Sequence, residues 1–325
     1  MIKFFRSGNP LTVLLLLVYT IFIKFYYILH PQTYMADGSE GILYRLITGW
    51  FDRLVAGNAV FYTMLAILLL FLQALLLNRI VNYHRLFSKP NHLPAMCYIL
   101  FTSLYQGWNV FSAALLVNTI MLWIISSITE LYNRSSARDV SFNIGFALGI
   151  AGLIYPPAVL CCALLYAGLL TMRAFRLAEW IIALLGLICP AYLLGTYLFL
   201  ADKNVWEVLP RLGLEMPVIN DYKVWGALIA SVLFFALGWL LLQRTFKKML
   251  IQGRKIWAVL AIYVIIAMLV PFFSLHFSPA NWVLALLPLS MFAGNVFWSI
   301  NHNGLANTGH FIVLAYAIVM QYFSH

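Results

Sequence analysis

Asp37 and Glu40 stand three residues apart in Met35-Ala36-Asp37-Gly38-Ser39-Glu40, just beyond a long apolar run. Two carboxylates at such a place could take a proton from an acceptor hydroxyl or bind a divalent cation at a phosphate. The same acids also suit the start of a helix, where negative charge meets the positive end of the helix dipole. Lys24 is the one basic residue set within an apolar run. It lies about five residues from the end of the run, about 7.5 Å at helical rise. It can therefore snorkel to the interface, or turn inward and hold a lipid phosphate. Arg45, Arg53 and Arg211 would add positive charge as substrate-binding residues, and Glu215 and Asp221 could close over the same cavity. Taken singly, all five are also what solvated loops and helix faces carry.

The elements that must position these residues follow from composition. Hydrophobic residues make up 64% of the 325 positions and charged residues 9%, against roughly a quarter charged in a soluble domain. Lipid is therefore the solvent for most of the chain. Apolar runs near 20 residues, the length that spans the hydrocarbon core as a helix, recur throughout. They predict an all-α, polytopic integral membrane helical bundle with about eleven transmembrane helices, forming a single transmembrane domain over 1–325. The spans fall at about 11–29, 58–78, 93–108, 110–131, a pair within 142–172, then 178–200, 223–243, 256–274, 279–299 and 306–323. Residues 11–29 follow Lys3 and Arg6 as a signal peptide would, but are too long for one and lack a small-residue cleavage site, which predicts a retained anchor.

The net charge of +10 would suggest nucleic acid in a soluble protein, but its placement points to the positive-inside bias instead. With eleven spans, fourteen basic residues fall on the side of the amino terminus and five on the other, with Lys24 between. This predicts a cytoplasmic amino terminus, a periplasmic carboxyl terminus, a bilayer as the partner and no nucleic acid. Residues 142–172 have basic flanks at both ends, Arg134/Arg138 and Arg173/Arg176, and break at Tyr155-Pro156-Pro157. A short helical hairpin keeps both flanks on one side, and Gly145, Gly149 and Gly152 permit close helix approach along its first arm. Residues 41–54 place Ile42, Leu43, Leu46, Ile47, Trp50 and Leu54 on one helical face, the pattern of a helix lying in the interface. An outer loop at 201–222 carries Trp206 and Arg211. The Arg244–Lys255 stretch fixes topology and meets anionic headgroups. Cysteine and histidine spacing marks neither a disulfide framework nor a zinc site, and no catalytic metal is assigned beyond the divalent cation that Asp37 and Glu40 could bind.

Met1-Ile2-Lys3-Phe4-Phe5-Arg6-Ser7-Gly8-Asn9-Pro10, with Gly145-Phe146, Leu153-Ile154-Tyr155-Pro156-Pro157 and Arg173-Ala174-Phe175-Arg176-Leu177-Ala178-Glu179-Trp180, resembles an uncharacterised family of multi-pass inner-membrane proteins of Bacteroidota. The resemblance implies a bacterial inner membrane and brings no activity. In layout, residues 1–200 are also similar to the GT-C glycosyltransferases that use polyprenyl-phosphate sugars. That similarity implies a polyprenyl-phosphate lipid as substrate and a role in cell-envelope biogenesis. Asp37 then corresponds to their first-loop carboxylate, with Glu40 as its substitute. Two other classes stay open. Few polar residues within the spans favour a non-catalytic membrane subunit or assembly factor with unknown protein partners. The interruptions at Pro156-Pro157 and Pro271 favour a transporter or lipid flippase.

Overall fold

The computed structural model describes residues 1–134, 136–203, 212–215, 219, 221–300 and 302–322. Among the described residues the regular structure is all helical, with no strand. In order the helices are α1 (Ile2–Phe5), α2 (Leu11–Leu29), α3 (Ile42–Val55), α4 (Ala59–Tyr83), α5 (Leu93–Thr102), α6 (Ala113–Glu130) and α7 (Arg138–Ile154). Then come α8 (Cys162–Met172), α9 (Leu177–Leu200), α10 (Tyr222–Thr245), α11 (Ile251–Leu269), α12 (Val283–Ser299) and α13 (Asn303–Tyr322). Among the described residues eight, α2, α4, α6 and α9 to α13, with α12 extended by the 3₁₀ turn Pro279–Trp282, are long and apolar enough to cross a membrane. The chain is a polytopic helical membrane protein.

The other three expected crossings are shorter helices. α5 has 10 residues, α7 has 17, and α8 has 11 after a 3₁₀ turn, Pro156–Cys161. Ten residues rise only about 15 Å, half the hydrocarbon thickness. Every residue of α5 is buried, so packing rather than lipid sets its length. It lies against α12, which is surrounded by protein along Val283–Phe297. α9 and α10 lie at the periphery, with apolar faces turned outward.

Helix α7 packs most extensively against α9, and glycine makes the approach possible. A Cβ on Gly145 would stand 2.2 Å from the Ala183 carbonyl oxygen, and one on Gly186 would stand 2.3 Å from that of Phe142. Both obstacles are backbone, so the helices would have to part. Gly186→Leu is expected to lower stability by about 1–3 kcal/mol, the usual cost of overpacking, as a fall in the unfolding temperature of the purified protein. An unchanged value would mean that α9 moves freely on α7.

Contacts between loops define two poles. At one, Arg6 donates to the Phe297 carbonyl at 2.6 Å, the Lys255 ammonium lies 5.1 Å from the Tyr132 ring, and Arg173 donates to the Arg134 carbonyl at 2.7 Å. That last bond joins the residues flanking the α7–α8 pair, so α8 returns to the end from which α7 departs. Lys3, Arg6, Arg85, Arg134, Arg173 and the Arg244–Lys255 stretch belong to this basic pole. At the other pole lie residues 30–41, α3, and the 3₁₀ turns Gln106–Asn109, Pro156–Cys161, Val270–Phe273 and Pro279–Trp282.

Helix α3 has 14 residues, about 21 Å at helical rise, short of a crossing. It packs on the bundle through Tyr44 and Thr48 and leaves Leu46, Trp50 and Leu54 exposed. Part of the apolar stripe thus faces away from the protein, while Ile42, Leu43 and Ile47 are half-buried. Much of the 201–222 loop, including Trp206, Glu207 and Arg211, lies outside the described residues.

Candidate functional site

The segment between α2 and α3 is strung across three neighbours. The Gln32 amide donates to the Thr63 hydroxyl at 2.9 Å, Met35 N–H donates to the Phe111 carbonyl at 2.9 Å, and Gly41 N–H donates to the Ile154 carbonyl at 2.8 Å. Gly41 has no space for a side chain, since a Cβ there would lie 2.0 Å from the Leu153 carbonyl oxygen. The broken end of α7 therefore fixes where Asp37 and Glu40 sit.

The two carboxylates are held differently. Asp37 Oδ1 accepts from the Ser39 amide at 3.1 Å and the Ser39 hydroxyl at 2.5 Å. Its Oδ2 accepts from Asn281 Nδ2 at 3.1 Å. Glu40 Oε1 accepts from the Gly38 amide at 3.3 Å. Burial, and then the neighbouring Asp37 charge, raise the Glu40 carboxyl above the usual carboxylate range. Gly38, at φ +79°, turns the loop under the His276 ring, which leaves no room for a Cβ. Glu215 accepts from the Phe277 amide next to that histidine. Asp221 instead caps α10 through the Lys223 amide at 2.9 Å.

Lys24 does not snorkel. It is fully buried, donating to Thr102 Oγ1 at 2.8 Å and to Asn109 Oδ1, both neutral. Asn109 in turn donates to the Thr102 carbonyl at 2.8 Å. Asn109 and Asn281 belong to 3₁₀ turns that pack together, tied by Trp108 Nε1 donating to the Pro279 carbonyl at 3.1 Å. Lys24 and Asp37 therefore serve one polar assembly without a direct hydrogen bond or ion pair among the described residues. Arg45 and Arg53 are exposed on α3 and join no ion pair among the described residues. Beneath them, Asp52 accepts from the Tyr62 hydroxyl at 2.6 Å, and burial followed by Asp52 raises the Tyr34 hydroxyl pKa. No group of three or more His, Cys, Asp or Glu side chains suited to a metal ion occurs among the described residues.

A model of a family of unknown function, DUF6427, matches residues 42–325. The chain belongs to DUF6427. Lys24, Asp37 and Glu40 precede the matched span, whereas Asn109, Tyr155, His276 and Asn281 fall within it. No curated protein and no solved structure matches this DUF6427 chain.

Sequence reasoning missed His276 and Asn281, because each looks like an ordinary polar residue at a span end. A signal for the inward turn of Lys24 was present. On α2, Thr12, Tyr19, Thr20, Lys24 and Tyr27 recur at helical spacing and are buried, while Leu14, Val18, Ile21, Phe22 and Phe25 are exposed. The expected poverty of polar residues within the spans also needs revision. Tyr98 donates to Gln73 Oε1 at 2.6 Å, Asn118 Nδ2 donates to the Val283 carbonyl at 2.9 Å, and His310 Nε2 lies 2.8 Å from the Tyr19 hydroxyl.

Proposed function

We propose that this DUF6427 protein is a GT-C-like glycosyltransferase of cell-envelope biogenesis in the bacterial inner membrane. It takes its sugar from a polyprenyl phosphate at the outer face. The observation that carries the reading is the unequal carboxylate pair. Asp37 is fixed by three hydrogen bonds, and Glu40 is half buried with its proton affinity raised. A carboxyl whose proton affinity burial raises is suited to handle a proton, while its hydrogen-bonded neighbour positions the loop. Glu40 takes the proton of an acceptor hydroxyl as its oxygen bonds to the anomeric carbon, and the polyprenyl phosphate departs with the electrons of the broken bond. Asp37 positions the loop, and a divalent cation held there would complete its coordination with phosphate oxygens. Lys24 contributes a buried amine, held by Thr102 and Asn109, to the same pole, and Arg45, Arg53 and Arg211 offer outer charges to the carrier phosphate. The basic pole opposite supports a cytoplasmic amino terminus.

A lipid profile of a strain lacking the protein tests this reading. A polyprenyl-linked sugar is expected to accumulate, and to accumulate equally when Glu40→Gln is the only copy. A profile identical to wild type in both strains would instead favour a non-catalytic membrane subunit, and partner purification would follow. One observation favours a transporter or flippase as the second reading: the interrupting turns Pro156–Cys161 and Val270–Phe273 pack together at the Asp37 pole, as discontinuous helices do around transport sites. Lipid movement in proteoliposomes without any sugar transfer would decide for it.

A further inference from the structure

At the basic pole a cavity of about 340 Å³ opens between the end of α4 and the start of α11, within the usual size of small-ligand sites. Arg85 and Lys248 line it from segments far apart in sequence, Ser88 and Gln252 add donors, and no Asp or Glu contributes. Neither the Arg85 nor the Lys248 side chain has a hydrogen-bond or ion-pair partner among the described residues. Two unpaired cations thus converge on a space without a counter-charge.

The backbone at Arg85 adds a second, independent observation. Arg85 has φ +49°, and the turn closes with Arg85 N–H to the Asn82 carbonyl at 3.2 Å and Leu86 N–H to the Val81 carbonyl at 3.1 Å. A helix ending in this left-handed manner ordinarily places glycine there, because a Cβ is strained. Here a guanidinium occupies that position at the cavity mouth. Phe87, Leu250 and Trp298 supply large apolar surfaces to the lining, beside His84, Thr245 and Asn295. Leu250 in the lining is 76% and Ile251 next to it 56% exposed, between Lys248 and Arg254. Exposed leucine and isoleucine set among cations fit an anionic lipid surface better than an aqueous ligand.

We propose that this cavity binds the phosphate group of an anionic phospholipid, with Arg85 and Lys248 on its oxygens and Trp298 and Leu250 against its glycerol and acyl portions. The site is at the opposite pole from Asp37 and does not depend on the transferase reading. Its role is to seat α4 and α11 on the membrane leaflet at the basic pole.

Native mass spectrometry of the full-length protein in detergent tests it, with phosphatidylglycerol, phosphatidylcholine and inorganic phosphate as separate probes. Phosphatidylglycerol is expected to bind, with phosphatidylcholine and inorganic phosphate failing at the same concentrations. Arg85→Gly with Lys248→Ala should weaken binding at least about tenfold, as expected for two charges near a headgroup. Arg85→Gly also relieves the backbone strain, so the loss cannot be ascribed to unfolding when the melting temperature holds or rises. The control pair Lys247→Ala and Arg254→Ala, outside the cavity lining, should bind as wild type does. Three results overturn the proposal: unchanged binding in the cavity variant, an equal loss in the control, or equal binding of phosphatidylcholine or free phosphate.

Discussion

Glu179→Ala is expected to destabilise the protein by about 3 kcal/mol, the loss seen when one partner of a buried ion pair is removed. Glu179 Oε1 lies 3.3 Å from Arg173 Nη2, with side-chain exposures of 4% and 8%. The Arg173 guanidinium also donates to the Arg134 carbonyl at 2.7 Å, and Glu179 accepts from the Ala137 amide at 3.4 Å. One pair therefore joins the start of α7, the end of α8 and the start of α9. Removing the carboxylate strands positive charge in a crowded corner and frees the two arms to separate. Arg176, 3.9 Å from the same oxygen and 57% exposed, offers water-screened charge and offsets little of the loss. Glu179→Gln keeps the shape and part of the hydrogen bonding, so its effect should be smaller. Thermal unfolding of the purified variants measures both. Equal stability of Glu179→Ala and wild type would show that the ends of the hairpin are held elsewhere.

That corner also shows what a sequence can reveal about such a fold. Span lengths and the break at Tyr155-Pro156-Pro157 are local properties, legible from apolar run length and from the missing proline amide. The return of α8 toward Arg134 brings together the basic residues that flank both arms. The ion pair with Glu179 was not legible, because its partners meet only when α9 closes against α7. The candidate site divides in the same way. Asp37 and Glu40 are conspicuous as acids beyond an apolar run. Asn281, which fixes one oxygen of Asp37, is separated from it by 244 positions and reaches it through packed 3₁₀ turns. Lys24 is intermediate: its burial was encoded in the Thr12–Tyr27 stripe of α2, but a lone lysine near a span end is ambiguous until that stripe is read as a whole. The basic-pole cavity needs two turns from opposite halves of the chain, and neither turn alone suggests a site.

Glu40→Gln is expected to reduce sugar transfer by about 10²–10⁴-fold, the range for loss of a general base, without reducing stability. The two signs follow from one cause. Burial and the Asp37 charge raise the Glu40 pKa above its unfolded value, so the protonated form is the one the fold prefers. The associated stability is present below the ordinary carboxylate pKa and is lost as pH rises through the raised one. At neutral pH glutamine avoids that cost, and the variant should melt no lower than wild type, with the difference vanishing in acid. For catalysis the same shift moves the acid limb of the pH–rate profile upward, because the base is protonated at a higher pH than an ordinary glutamate. Asp37→Asn provides the complementary test. Its Oδ1 still accepts from Ser39, and Asn281 can turn its amide over to rebuild the other bond, so the loop persists while a negative charge is lost. Relieved of that charge, Glu40 should titrate lower, and the acid limb of Asp37→Asn should move toward lower pH with a smaller loss of rate than in Glu40→Gln. If Asp37→Asn instead abolishes transfer and Glu40→Gln retains it, the roles are reversed and Asp37 is the base. Full activity in both variants would remove the pair from the chemistry and leave it the structural task of fastening residues 32–41 across the pole.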